Sequence, residues 1–343
     1  MMARGTFSRV RAWYGAVLAL MVFMLLAALP HSAAAQTPLV LGAEMRQLDA
    51  WPAISILRDP ERRLGAREAL AANERFVRPD TSYATLGMQP GTTWVRIPVS
   101  VPADAPNAWV MQVDFALLGQ LDVHVASPDG FKHVASAGRM QVQSGDALRG
   151  RVPTVVLRLA PGADYTVLLR VAAVGPKILP LSFMQVHQVL PDSLAEQMLQ
   201  GLILGLGICL FLYSVGQWLT LREPLFGKYA ILVGGVTVYS ACWFGIAGQF
   251  LWPGNAWFLE HGAGISSIMA SCGAYLFVEQ SLARPGMDRL FSRLMRGFAV
   301  ACLVTAVGFG LGLISHKYLV AIVGTLGIMP MLLGLPGAYR RAR

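Results

Sequence analysis

Charge is scarce in this chain: 14% of its 343 residues are Asp, Glu, Lys or Arg, against about 25% in an ordinary soluble domain. Hydrophobic residues make up 55%, and the shortage of charge is concentrated in one region. Residues 36–198 have soluble composition, whereas 199–339 are dominated by long apolar runs, so the chain as a whole is not written for water. Cysteine is equally sparse. All four, Cys209, Cys242, Cys272 and Cys302, fall in the apolar runs, which excludes a disulfide framework and any CxxC redox or zinc motif in the preceding region. There is no HExxH, no Ser-His-Asp or paired-carboxylate arrangement and no phosphate-cradling glycine loop. No catalytic residue, no metal and no cofactor are therefore expected within these residues. The net charge is +9, but the basic residues are not interleaved with aromatics in a patch. Many of them sit at the ends of apolar runs, so membrane lipid rather than nucleic acid is the expected partner.

The chain opens with Arg4, Arg9 and Arg11, continues through GAVLALMVFMLLAAL and closes on PHSAAAQ. A basic start, an apolar core of about fifteen residues and small residues at Ala33 and Ala35 have the form of a secretory signal peptide. The core is short for a bilayer span of about twenty residues, and Pro30 follows it directly, which disfavours an uncleaved anchor. Residues 1–35 are thus expected to be removed, leaving a mature chain that begins at Gln36 outside the inner membrane.

Residues 36–198 open on LRDPERRLGAREALAANERF, a surface helix or helical turn. Short β-type runs follow, separated by turn signals: 93–101, 108–115, 121–127, 154–160, 164–173 and 179–186. In the first of these Trp94, Arg96, Pro98 and Ser100 share one face, and Val95, Ile97, Val99 and Val101 the other. Six such runs predict an antiparallel β-sandwich. Trp94, Arg96, Trp109 and Asp122 are the candidate ligand-binding residues, with Asp114, His124 and Arg170 as further polar residues within strands. An edge of this kind suits a sugar or another small polar molecule.

Five apolar segments occupy residues 199–339, at about 199–220, 229–250, 262–282, 297–315 and 318–338, each of spanning length. A cytoplasmic tail is expected over 340–343. With residues 36–198 outside, the inner loops and tail carry Arg222, Lys228, Arg284, Arg289, Arg293, Arg296, Arg340, Arg341 and Arg343, nine basic residues against Lys317 alone outside. That asymmetry obeys the positive-inside rule, and Trp252 and Trp257 lie where an outer aromatic belt belongs. Gly201 and Gly205, and Gly308 and Gly312, have the small-xxx-small spacing that brings helix backbones together. Glu279, near the inner end of the third segment, and Glu260 and His261, at its outer end, read as interfacial residues rather than a proton path. Pro330 and Pro336 are expected to kink the last segment.

The run ERFVRPDTSYATLGMQPGTTWVRIPVSVP, with Phe76, Gly87, Trp94 and Arg96 in order, and the later VDFALLGQLDVHVASPDG resemble the extracellular domain of bacterial seven-transmembrane receptors with diverse intracellular signalling modules. The stretch from Gln200 to Pro253 is similar to the start of that family's membrane domain. The resemblance covers about residues 40–339 and implies a jelly-roll-like, carbohydrate-binding type of domain, a periplasmic sensor in the inner membrane, and a diguanylate cyclase or histidine kinase as output. The family has seven helices and an output module, whereas this sequence reaches Arg343 after the fifth apolar segment. It is expected to be either a fragment or a shortened form acting through a homodimer or a cytoplasmic signalling partner. A transporter or membrane scaffold is the competing reading, for which five helices with few buried polar residues are a poor design.

Overall fold

The computed structural model describes residues 37–81, 83–283 and 289–342; the signal peptide expected over residues 1–35 lies outside them, as does Arg284. In chain order the strands are β1 (Leu39–Val40), β2 (Gln47–Asp49), β3 (Ser55–Asp59), β4 (Thr85–Gly87), β5 (Thr92–Val101), β6 (Ala108–Val113), β7 (Gln120–Ser127), β8 (Gly130–Ala137), β9 (Ser144–Gly145), β10 (Ala147–Leu148), β11 (Thr154–Arg158), β12 (Ala163–Ala172), β13 (Lys177–Ile178) and β14 (Leu181–Gln185). A short helix, α1 (Ala66–Ala71), lies between β3 and β4. The long helices are α2 (Val186–Leu221), α3 (Pro224–Trp243), α4 (Ala256–Leu282), α5 (Arg289–Gly310) and α6 (His316–Ala342).

Two sheets pack face to face. One has the order β1-β5-β12-β7-β8-β9, with β3 also on β5, and the other has β10-β11-β6-β14-β2. The alternation of β5 is what builds the interior. Val95, Ile97, Val99 and Val101 meet Trp109, Met111 and Val113 of β6, Val155 and Leu157 of β11, and Phe183 of β14 in one buried cluster. Pairing is antiparallel except between β1 and β5, which run parallel through Leu39↔Val99. Pro98, which cannot donate to a ladder, falls between the end of the β3 pairing at Arg96 and the start of the β1 pairing at Val99.

No loop separates the sheet from the first long helix. Gln185 ends β14 and Val186 begins α2, so the first long helix starts well before the expected residue 199 and carries Pro191 within it. α3 ends at Trp243, earlier than the expected 250, because Gly245 takes the left-handed region at φ 81° and turns the chain. Asn255 then caps α4, accepting from the Phe258 N–H at 3.2 Å.

Among the described residues four helices are long and apolar enough to cross a membrane: α2, α3, α5 and residues His316–Leu335 of α6. The third expected span, α4, is the exception. It packs on α3, α5 and α6, so much of its surface faces protein rather than lipid and tolerates Ser266, Ser267, Ser271 and Glu279. The serine hydroxyls return to carbonyls of their own helix at 2.7–3.0 Å. Close backbone approach also occurs elsewhere than expected. No neighbour lies within 4 Å of a β-carbon built on Gly201, Gly205 or Gly312, whereas one on Gly235 would stand 2.5 Å from the Ala270 nitrogen and one on Gly273 2.4 Å from that of Leu232. The small-residue seam joins α3 to α4.

Candidate functional site

Strand alternation places a second set of side chains on the outer face of the larger sheet. Trp94, Arg170, Asp122 and Ser136 are direct neighbours across β5, β12, β7 and β8, and Arg96, Leu168 and His124 form the adjoining row. Asp122 is the hub. Its Oδ1 accepts from Ser136 Oγ and from Gln141 Nε2, both at 2.7 Å, and its Oδ2 from Arg170 Nη1 at 3.1 Å. Burial opposes the charge, but these donors outweigh it and hold the carboxyl below the usual range. His124 stacks on Phe131 at 5.4 Å and meets His133 edge-on at 5.0 Å. Burial first, then the neighbouring His133, pushes its pKa down.

Three of the four residues singled out in the sequence share this face. Trp94 is 1% exposed, closed over by α1 in a cluster with Leu57, Ala69 and Leu168. Arg96 and Asp122 are half-buried. Trp109 is elsewhere: it is a core residue at 1% exposure, donating from Nε1 to the Pro106 carbonyl at 2.9 Å. Neither indole offers an open ring face, so neither is the ligand platform expected of it. The tryptophans are spent on packing because each lies where a second layer covers its strand. Among the described residues no group of three His, Cys, Asp or Glu side chains is arranged to hold a metal ion.

A second constellation lies where the β-domain meets the outer ends of the helices. The segments 116–117, 138–143 and 149–153 face the end of α3, the turn 245–254 and the start of α4 across a cavity of about 670 Å³. Arg139 Nη1 donates to the Leu259 carbonyl of α4 at 2.5 Å. Arg151 pairs with Asp114 at 3.2 Å and with Glu196 of α2. Phe115 packs edge-on against Trp243 at 5.6 Å. Gln141 belongs to both constellations, since it donates to Asp122 and lines the cavity. The sheet face is thus tied to the helices through one short segment, 138–143. Sequence reading missed Arg139, Gln141, Arg151 and Gly245 because they stand in turns without periodicity, and only a contact with another element reveals their roles.

At the inner end of the bundle Glu279 accepts from Lys228 at 2.9 Å, from Ser292 at 2.5 Å and from Arg296 at 2.9 and 3.1 Å. Its side chain is 4% exposed. The expected interfacial glutamate is therefore a buried node joining α3, α4 and α5.

Comparison with protein families decides what this arrangement belongs to. Residues 52–185 match the family model described as 7TMR-DISM extracellular 2, and residues 196–343 match the model described as 7TM diverse intracellular signalling. The chain belongs to the 7TMR-DISM receptors. It is a membrane sensory receptor with its β-domain outside the membrane. No curated protein matches this receptor chain. Among solved structures, a Bacteroides fragilis protein named as a beta-galactosidase aligns at 12% identity and a TM-score of 0.25. That alignment covers 38% of the receptor and 21% of the other chain, and it bears on neither fold nor function.

Proposed function

We propose that this receptor senses a small molecule in the periplasm and relays its presence across the inner membrane to a cytoplasmic output module of the diguanylate cyclase or histidine kinase type. The observation that carries this reading is the direct passage from Gln185 of β14 into Val186 of α2. A strand of the sensing sheet and a membrane-length helix are one continuous piece of backbone, so a change of domain pose is delivered to the helix rather than lost in a flexible tether. Three further contacts fix the pose: Arg139 on Leu259, Arg151 on Glu196 and Phe115 on Trp243. A ligand shifts such a device only by the difference of its affinities for two poses. The excess of basic residues in the inner loops supports the orientation. A transporter reading has less support, because Glu279, a buried acid within the bundle, is already committed to Lys228 and Arg296.

The test joins Arg343 to the output module of a longer relative and inserts a Gly-Ser segment between Gln185 and Val186. A response to growth conditions should appear with the native junction and vanish with the insert. Equal responses from both would reject the relay.

A further inference from the structure

The cavity between the β-domain and the helices has a one-sided chemistry. Among its lining residues are three arginines and three glutamines, and no aspartate or glutamate. Arg151 is compensated by Asp114 and Glu196. Arg139 and Arg149 make no ion pair among the described residues, and the Arg139 Nε is buried without a hydrogen-bond partner. Among the described residues the Arg139 side chain donates to a neutral backbone carbonyl, that of Leu259. A guanidinium withdrawn from water without a counter-charge is costly, and a carboxylate or phosphate repays that cost through charge-assisted hydrogen bonds. Glu260, next to Leu259, acts on Arg139 only at longer range.

The opposite wall is apolar and aromatic. Trp252 and Phe258 are stacked at 5.1 Å and both line the cavity. Next to Trp252 in the chain, Phe250 is 67% exposed and Leu251 60%, and on the facing segment 138–143 Val142 is 88% exposed, so the cleft has apolar side chains at its margin on both sides. The cavity volume suits a small ligand or the head of a larger one. Its place, where aromatic residues meet the outer membrane interface, suits a molecule with one polar end and one apolar end.

We infer that this cleft binds the anionic head of an amphipathic molecule, a carboxylate or phosphate carried on an apolar chain, with Arg139 and Arg149 holding the head and the Trp252–Phe258 wall receiving the start of the chain. The inference rests on the receptor reading, since a molecule seated there touches the segments 138–143 and 149–153 on one side and the α3–α4 turn on the other. It therefore stands on the joint through which pose is transmitted. Two sources supply this chemistry, an anionic phospholipid of the surrounding leaflet and a free amphipathic acid.

The test reconstitutes the full chain in nanodiscs of phosphatidylcholine and follows quenching of tryptophan fluorescence, with Trp252→Phe to isolate the signal of Trp252. One arm adds brominated phosphatidylglycerol to the bilayer. The other adds brominated dodecanoic acid from solution, with brominated dodecanol as the uncharged control. Quenching of Trp252 by at least one anionic probe, well above that by the alcohol, is expected, and the responding arm identifies the source. Arg139→Gln and Arg149→Gln should each weaken that probe about tenfold, the scale of one lost charge-assisted contact. Arg149→Lys, which keeps the charge at an exposed position, should retain most of the affinity. Equal quenching by the alcohol, no quenching by either anion, or unchanged affinity in Arg149→Gln would overturn the assignment. The readout is binding, not output, so its failure leaves the result of the Gly-Ser insertion unaffected.

Discussion

The backbone of Gly245 abuts the carbonyl of Arg151 so closely that a β-carbon there would stand 2.4 Å from the oxygen and 2.8 Å from the Ala116 β-carbon. The glycine is also at φ 81°, a region that costs other residues about 1–2 kcal/mol. Gly245→Val should therefore part the β-domain from the end of α3 without unfolding either. Hydrogen exchange in residues 138–153 should rise while that of β5 and β12 stays unchanged. Unaltered exchange in 138–153 would show that the contact does not hold the domain.

The Asp122 carboxylate is the acceptor for three side chains from three segments. Asp122→Ala leaves Arg170, Ser136 and Gln141 short of a partner and should destabilise the β-domain by about 1–3 kcal/mol. Because its folded pKa lies below the unfolded value, the stability it contributes is present above the unfolded carboxylate pKa and is lost as pH falls through the folded one. Denaturant midpoints measured from pH 6 down to pH 3 should decline in the parent and less steeply in Asp122→Asn. Parallel curves would assign the acid sensitivity to other carboxylates.

Lys177 acts with the same sign at higher pH, although here folding disfavours the charged form. It is 0% exposed, its amine donating to the Gly91 carbonyl at 3.1 Å and to Thr93 Oγ1 at 2.9 Å, with no carboxylate paired to it among the described residues. Burial, with a smaller effect from Arg62, pushes its pKa down to about 8 from 10.5. Between those two values the unfolded chain holds the proton and the folded chain does not, so this residue makes stability rise with pH from about 8 at up to about 1.4 kcal/mol per pH unit. Denaturation of the β-domain followed from pH 7.5 to pH 10 should show that rise and Lys177→Met should lack it. A rise of equal size in the variant would place its origin elsewhere.

Glu279 faces two cations and a hydroxyl within the bundle. Glu279→Gln removes the counter-charge of Lys228 and Arg296, but Lys228 still donates to Gln280 and the Arg296 side chain is 66% exposed, so the cost is about 1–3 kcal/mol, below that of a fully buried pair. The thermal midpoint of the detergent-solubilised chain should fall markedly, and Lys228→Met in the same background should recover part of the loss. Additive losses in the double variant would mean the two residues do not interact.

Much of the sandwich was legible because β5 writes its faces as strict alternation: Val95, Ile97, Val99 and Val101 point inward and Trp94 and Arg96 outward. β8 was not legible. Its burial follows no period over Gly130–Ala137, since its pairing with β7 shifts register between Val123 and His124. The extension of α2 back to Val186 was hidden for a related reason. Residues 186–198 mix polar with scattered apolar residues and include Pro191, so no apolar run announces them, and their helix is continuous with the membrane segment of α2. The functional joint was the least legible part. Arg139, Arg151 and Gly245 owe their importance to partners more than ninety positions away or on another element, and no local pattern encodes such a distance.

α4 has one end in each compartment of the problem. Its outer end supplies the Leu259 carbonyl that Arg139 grips, and its inner end supplies Glu279 to Lys228 and Arg296. The twenty positions between them span roughly 30 Å at the rise of an α-helix, about the thickness of the hydrocarbon. Lipid meets little of this helix, because α3, α5 and α6 surround it. Because its backbone is also in direct contact with α3 at Gly235 and Gly273, the proposed relay would reach the inner side through α3 and α4 moving together, with Glu279 reporting that movement to α5.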